Sequence, residues 1–115
     1  MDLRAISRSL EKELEEELSN EVVPFKDLTL FIYEEEQDGT KYYDCELDFI
    51  FTVSRVFSIY IDRAIDAIKK VFSKYGKVVF EPWELWEISL VEDQGECRIY
   101  ITIFFKVYLY EHRRA

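Results

Sequence analysis

Glycine and proline are rare in this chain, with three and two copies in 115 residues. That scarcity excludes collagen-like and low-complexity polypeptides. Asn and Gln are scarcer still for a chain of this length (Asn20, Gln37 and Gln94), while Glu, Lys, Ile and Tyr abound. Such a bias fits a thermophilic source. Two cysteines, Cys45 and Cys97, are too few for a disulfide scaffold and lack metal-site spacing. Both fall on predicted core faces, where they read as buried free thiols rather than a disulfide. The single histidine, His112, stands alone near the chain end and has no catalytic partner in sequence. There is no glycine-rich phosphate loop and no nucleophile elbow. The expectation is therefore a protein that is not an enzyme and needs no cofactor. No apolar run approaches the ~20 residues of a membrane helix. No basic-then-apolar leader precedes residue 20, so the chain reads as soluble and cytoplasmic, without a membrane partner.

Hydrophobic residues make up 49% and aromatic residues 17% of the chain, which excludes intrinsic disorder. Its length suits one domain, residues 1–115, around one core. The formal net charge of −9 argues against nucleic acid, which needs a basic surface to neutralise phosphates. The charge is also unevenly spread. Residues 1–21 carry seven acids and three bases, and residues 81–96 carry six acids and no base. Only residues 55–77 reverse the sign, with six bases against Asp62 and Asp66. One basic helix is expected in an otherwise acidic protein.

The most regular stretch is the apolar run from Cys97 to Tyr110. Alternate residues Cys97, Ile99, Ile101, Ile103, Phe105, Val107 and Leu109 point one way. Arg98, Tyr100, Thr102, Phe104, Lys106, Tyr108 and Tyr110 point the other. Period two over fourteen residues without Gly or Pro predicts a long central strand. Upstream, Leu3, Ile6, Leu10, Leu14 and Leu18 draw one apolar stripe along a helix over about 3–19, ending at Asn20. Strands are expected over Lys26–Tyr33 and Lys41–Val53, joined by a turn in which Asp38-Gly39 supplies positive φ. A helix capped by Ser54 or Ser58 should run to Tyr75, with Phe57, Ile61, Ala64, Ile65, Ile68, Phe72 and Tyr75 as its buried face and Gly76 closing it in the left-handed region. A third strand from Lys77 to about Leu90 contains Pro82, which places it at an edge with a bend near Trp83. Glu92 to Glu96 then turns into the last strand.

The order is helix-strand-strand-helix-strand-strand. It predicts an α+β two-layer sandwich, with a four-stranded mostly antiparallel sheet and two helices on one face, as in a permuted ferredoxin-like fold. The expected spatial order is third, fourth, second, first.

Two helices cover one face of such a sheet. The other face should show Phe31, Tyr33, Tyr42, Ile50, Tyr100, Phe104, Tyr108 and Tyr110. An aromatic patch of this size points to association, and a homodimer interface is the expectation. Asp44, Glu46 and Asp48 alternate along the same face and should face the strand that carries Arg98 and Lys106. Such a row could hold Mg²⁺ in a metal-dependent nuclease, although a solvated or ion-paired face is the simpler reading. Glu81-Pro82-Trp83-Glu84-Leu85-Trp86-Glu87 reads either as an edge whose tryptophans cap the core or as a docking edge for a basic partner.

From this segment onward the chain resembles small proteins of archaeal rod-shaped viruses, in particular the type I-D anti-CRISPR family. The likeness covers residues 80–114: the acid-interleaved Trp segment, the acidic hairpin, the aromatic last strand and the basic end at Arg113 and Arg114. The acidic opening helix is similar in character. The resemblance implies a dimeric viral inhibitor that occupies a surface of a host defence subunit. On that reading Glu13, Glu15, Glu16 and Glu17, or Glu84 and Glu87, would bind the partner with Trp83 or Trp86 as anchor. A self-assembling structural or accessory viral protein is the alternative.

Overall fold

The computed structural model describes residues 3–51, 58–80, 86–93 and 96–110. Its elements are α1 (Leu3–Asn20), β1 (Phe25–Gln37), β2 (Thr40–Phe51), α2 (Ser58–Phe72), β3 (Gly76–Val79), β4 (Trp86–Asp93) and β5 (Glu96–Leu109). The sheet runs β1-β2-β5-β3, with β4 also paired to β5, and every pairing is antiparallel. This is the expected α+β sandwich in the expected spatial order. The third strand is present in two segments, β3 opposite Lys106–Leu109 and β4 opposite Glu96–Ile103, both along β5. The bend expected at Pro82 and Trp83 lies outside the described residues, as do Ser54, Phe57 and the basic tail.

Both helices and one face of the sheet share a single core. Leu10, Leu14 and Leu18 of α1 meet Ile61, Ala64, Ile68 and Phe72 of α2 over Leu47, Phe49, Ile101, Ile103 and Phe105. All of these are at most 5% exposed, so the two predicted apolar stripes are the ones that pack. Rings interlock across the layers: Phe72 meets Phe105 edge-on with centroids 5.0 Å apart, and Phe51 stacks on Tyr60 at 5.7 Å. Cys45 is buried, as its place on the inward face of β2 requires.

Several boundaries differ from the sequence expectation. The β1–β2 hairpin is longer at its turn: pairing continues to Gln37 opposite Thr40, and Asp38 and Gly39 (φ 52° and 78°) form a two-residue type I′ turn. The first helix does end at Asn20, and Val22 just beyond it, in the left-handed region (φ 58°), turns the chain away. The Val23 N–H donates to the Leu18 carbonyl and the Val22 N–H to the Ser19 carbonyl, a Schellman closure sealed by buried Val23 against Leu18. Helix α2 ends at Phe72, three residues early. Gly76 is needed for a different reason from the one expected. It is not in the left-handed region, but a Cβ there would collide with the Tyr108 backbone carbonyl.

Charge organises the helix layer. Lys70 bridges Glu17 at 3.3 Å, Lys74 bridges Glu13 at 2.7 Å, and Arg63 donates to the Glu21 carbonyl at 3.1 Å. The acidic helix and the basic helix thus lie side by side. Helix α1 also reaches the sheet edge: the Leu30 N–H donates to Glu11 Oε1 at 2.7 Å, and Ser7 Oγ donates to the Leu30 carbonyl at 3.3 Å. Those backbone groups belong to edge strand β1, so α1 shields the edge there from further pairing.

Candidate functional site

Antiparallel register carries each outward residue of β2 between two neighbours. Asp48 lies between Thr29 and Thr102, Glu46 between Phe31 and Phe104, Asp44 between Tyr33 and Lys106, and Tyr42 between Glu35 and Tyr108. The open face is therefore a column of carboxylates flanked on both sides by aromatic and hydroxyl side chains. Among the described residues no element packs over it, because both helices join the core on the other side. Phe31, Tyr33 and Tyr110 are 41%, 59% and 57% exposed. Tyr42, Tyr100, Phe104 and Tyr108 are half-buried by their neighbours on the sheet.

The two ends of this face differ. Toward the β1–β2 turn, the Tyr42 and Tyr108 rings lie 5.4 Å apart and Lys106 Nζ sits 5.8 Å from the Tyr42 centroid. Toward the other end, Asp27, Thr29, Asp48, Ile50, Tyr100 and Thr102 line a depression of about 320 Å³, floored by Phe49 and Ile101. Thr102 Oγ1 donates to Asp48 Oδ1 at 2.7 Å and fixes that carboxylate. A bulge between Phe25 and Leu28 turns Phe25 back toward the core and leaves Asp27 on the pocket rim.

The residues singled out from sequence are distributed as follows. The aromatic set Phe31, Tyr33, Tyr42, Tyr100, Phe104 and Tyr108 shares one face, as expected. Of the helical acids, Glu13 and Glu17 are turned to lysines of α2, while Glu15 and Glu16 are exposed. Trp83 and Glu84 lie outside the described residues; Trp86 stands opposite Ile103 and Glu87 opposite Thr102 in the β4–β5 register. The three carboxylates do stand beside β5, the strand that carries both bases: Asp44 pairs with Lys106, and Arg98 lies beyond the end of β2, in register with Val91 of β4. Among the described residues no group of three His, Cys, Asp or Glu side chains is placed to hold a metal ion. Along β2 the nearest cross-strand neighbours of the three carboxylates are threonines, aromatics and one lysine.

Sequence reading missed Asp27, Thr29 and Thr102 as members of a site. One half of the signal was present. A two-residue turn at Asp38-Gly39 fixes the β1–β2 register and so sets Thr29 beside Asp48. The β2–β5 register has no such local marker.

The burial of Cys45 pushes its thiol well above the usual range, aided by nearby Asp44. Burial also raises the Tyr43 phenol, with Glu34 adding to the effect. Both groups stay protonated at neutral pH, and neither faces the open site as a nucleophile.

The geometry defines a class: an α+β two-layer sandwich with one face of its sheet left open. No protein-family model matches the chain, and no curated protein matches it by sequence. Among solved structures it is similar to the type 4 fimbrial biogenesis protein PilO from Pseudomonas aeruginosa, with a TM-score of 0.51 and 15% identity over 93% of this chain and 76% of that one. At that identity the likeness shows the fold alone. Among the described residues no helix is long and apolar enough to cross a membrane.

Proposed function

We propose that this chain is a non-enzymatic acidic binding factor that acts by occupying a basic surface of another protein, with the open sheet face as its contact surface. The observation that supports this is the carboxylate column Asp44-Glu46-Asp48 set between aromatic side chains on a face that no described element covers. Tyr and Phe supply contact area at low entropic cost, while the acids steer and select a basic partner. The net charge of −9 acts in the same direction at long range. The resemblance of residues 80–114 to archaeal rod-shaped-virus proteins supports a host defence protein as the target, a CRISPR effector subunit whose nucleic-acid groove is basic.

The test is titration of purified type I-D effector subunits with the wild-type chain and with Glu46→Lys, followed by calorimetry. Binding by wild type and a loss of about a hundredfold or more in the variant is the expected outcome. Equal binding by both would remove the open face from the contact. A second copy of the chain is the competing occupant, favoured by the exposed rings of Phe31, Tyr33 and Tyr110. Light scattering across concentration separates the two, since a homodimer through this face would hide it from any partner.

A further inference from the structure

Resting on that reading, we infer that the depression at the Asp27–Asp48 end of the open face seats an arginine side chain of the bound protein. Its volume of about 320 Å³ falls at the lower end of ligand-sized cavities, large enough for one long side chain and too small for a folded element. Its chemistry is divided as a guanidinium requires. Asp48, oriented by the Thr102 hydroxyl at 2.7 Å, and Asp27 across from it offer carboxylates on two sides. Ile50 and the Tyr100 ring line the space between and can cover an aliphatic stem and the planar cation.

Arginine fits better than lysine for three physical reasons. Its five donors lie in one plane and can serve two carboxylates together, it stacks on an aromatic ring, and it is less costly to strip of water than an ammonium. The charge of the lining agrees: the charged residues that line the pocket are Asp27 and Asp48. Lys77 and Lys106 stand in the rows nearest the opposite end, while Lys26 precedes Asp27 in β1. A second copy brings mainly carboxylates to this place, whereas a basic segment of another protein brings the complementary group.

The test uses the full chain and nitrogen-15 amide spectra, with acetyl-Gly-Arg-Gly-amide as probe and its citrulline and lysine counterparts as controls. The arginine peptide is expected to shift the amides of Thr29, Ile50, Tyr100 and Thr102 saturably, and the neutral citrulline peptide to leave them still. Asp48→Asn should weaken binding by about tenfold or more, the usual consequence of losing a charge-assisted hydrogen bond. Asp27→Asn should weaken it less, and the spectra themselves report whether each variant is folded. Equal shifts from the lysine peptide, shifts confined to the acidic turn at residues 34–38, or indifference to both substitutions would overturn the assignment. So would the same shifts arising with protein concentration alone, which would give the face to a second copy. If these amides do not respond but Glu46→Lys still abolishes effector binding, the docking face stands and this anchor is wrong. If the pocket takes arginine while no effector subunit binds, the anchor stands and the proposed target is wrong.

Discussion

On its helix side, β2 presents Cys45, Leu47, Phe49 and Phe51, none more than 2% exposed. On its other side the same strand presents Tyr42, Asp44, Glu46, Asp48 and Ile50, all half-buried. β5 repeats the contrast: Ile101, Ile103, Phe105 and Val107 are sealed, while Tyr100, Thr102, Phe104, Lys106 and Tyr108 are in partial contact with water. The strands are shared, so backbone hydrogen bonding is common to both faces and cannot account for the difference. One face holds aliphatic and aromatic carbon against helices, and its contribution is stability. The other mixes rings with carboxylates and stays in partial contact with water. Aromatic residues therefore stand in two settings in this molecule, and neighbours in sequence can differ in which one they occupy.

Phe105 and Phe104 make the sharpest version of that comparison. Phe105 is 2% exposed and touches Phe72 and Phe80; Phe105→Ala should lower stability by about 3–5 kcal/mol. Phe104→Ala, one residue away on the open face, should cost about 1 kcal/mol or less. Urea unfolding of both variants measures the gap, and similar losses would mean that the open face is a second core.

The next effect tests how tightly the covered side is closed at its margin. Gly76→Ala sets a Cβ against the Tyr108 carbonyl and the Leu109 backbone, which are not flexible groups. Overpacking of this kind costs about 1–3 kcal/mol, and loss of the β3–β5 pairing should appear as faster amide exchange at Val78 and Val79.

Alkaline titration probes burial on the inner face without a mutation. The native Cys45 thiol is held protonated by burial, whereas the unfolded chain releases that proton near the ordinary thiol pKa of 9.0. The unfolded state then binds fewer protons, so stability should be full below about pH 9 and fall above it. The slope from Cys45 is at most about 1.4 kcal/mol per pH unit. The raised Tyr43 phenol acts in the same direction at higher pH. Replacing Cys45 with Ala should flatten the first part of that fall.

The smallest effect lies outside both faces and has the opposite sign. Val22 is 72% exposed and held at φ 58°, a region that costs a β-branched residue about 1–2 kcal/mol. Val22→Gly gives part of this back as chain entropy, so thermal unfolding should show a gain of about 1 kcal/mol or less.

Period two in residues 97–110 and periods of three and four in α1 and α2 made the elements and the inner face legible, because burial repeats with backbone geometry. Asp38-Gly39 announced its turn through chemistry that few other pairs share. Val22 carried no such mark: valine does not signal a left-handed stop, and only the packing of Val23 on Leu18 enforces one. The pairing of Glu13 and Glu17 with lysines more than fifty residues away follows from how the helices lie, so those acids read in sequence as free contact residues. The outward aromatic set was visible from alternation alone. The pocket was not, because it depends on the β2–β5 register and on a bulge near Phe25, neither of which has a local sequence cause.

The most direct test of the open face as a docking surface is calorimetric binding of a purified type I-D effector subunit to a Phe31→Ala, Phe104→Ala, Glu46→Lys triple variant. The variant's fold is first matched to wild type by its amide spectrum. A native-like spectrum and binding weakened by a hundredfold or more are expected. A variant that unfolds would show that these residues support the core, and one that binds as wild type does would place the contact elsewhere. Either result would contradict the division of labour between the two faces.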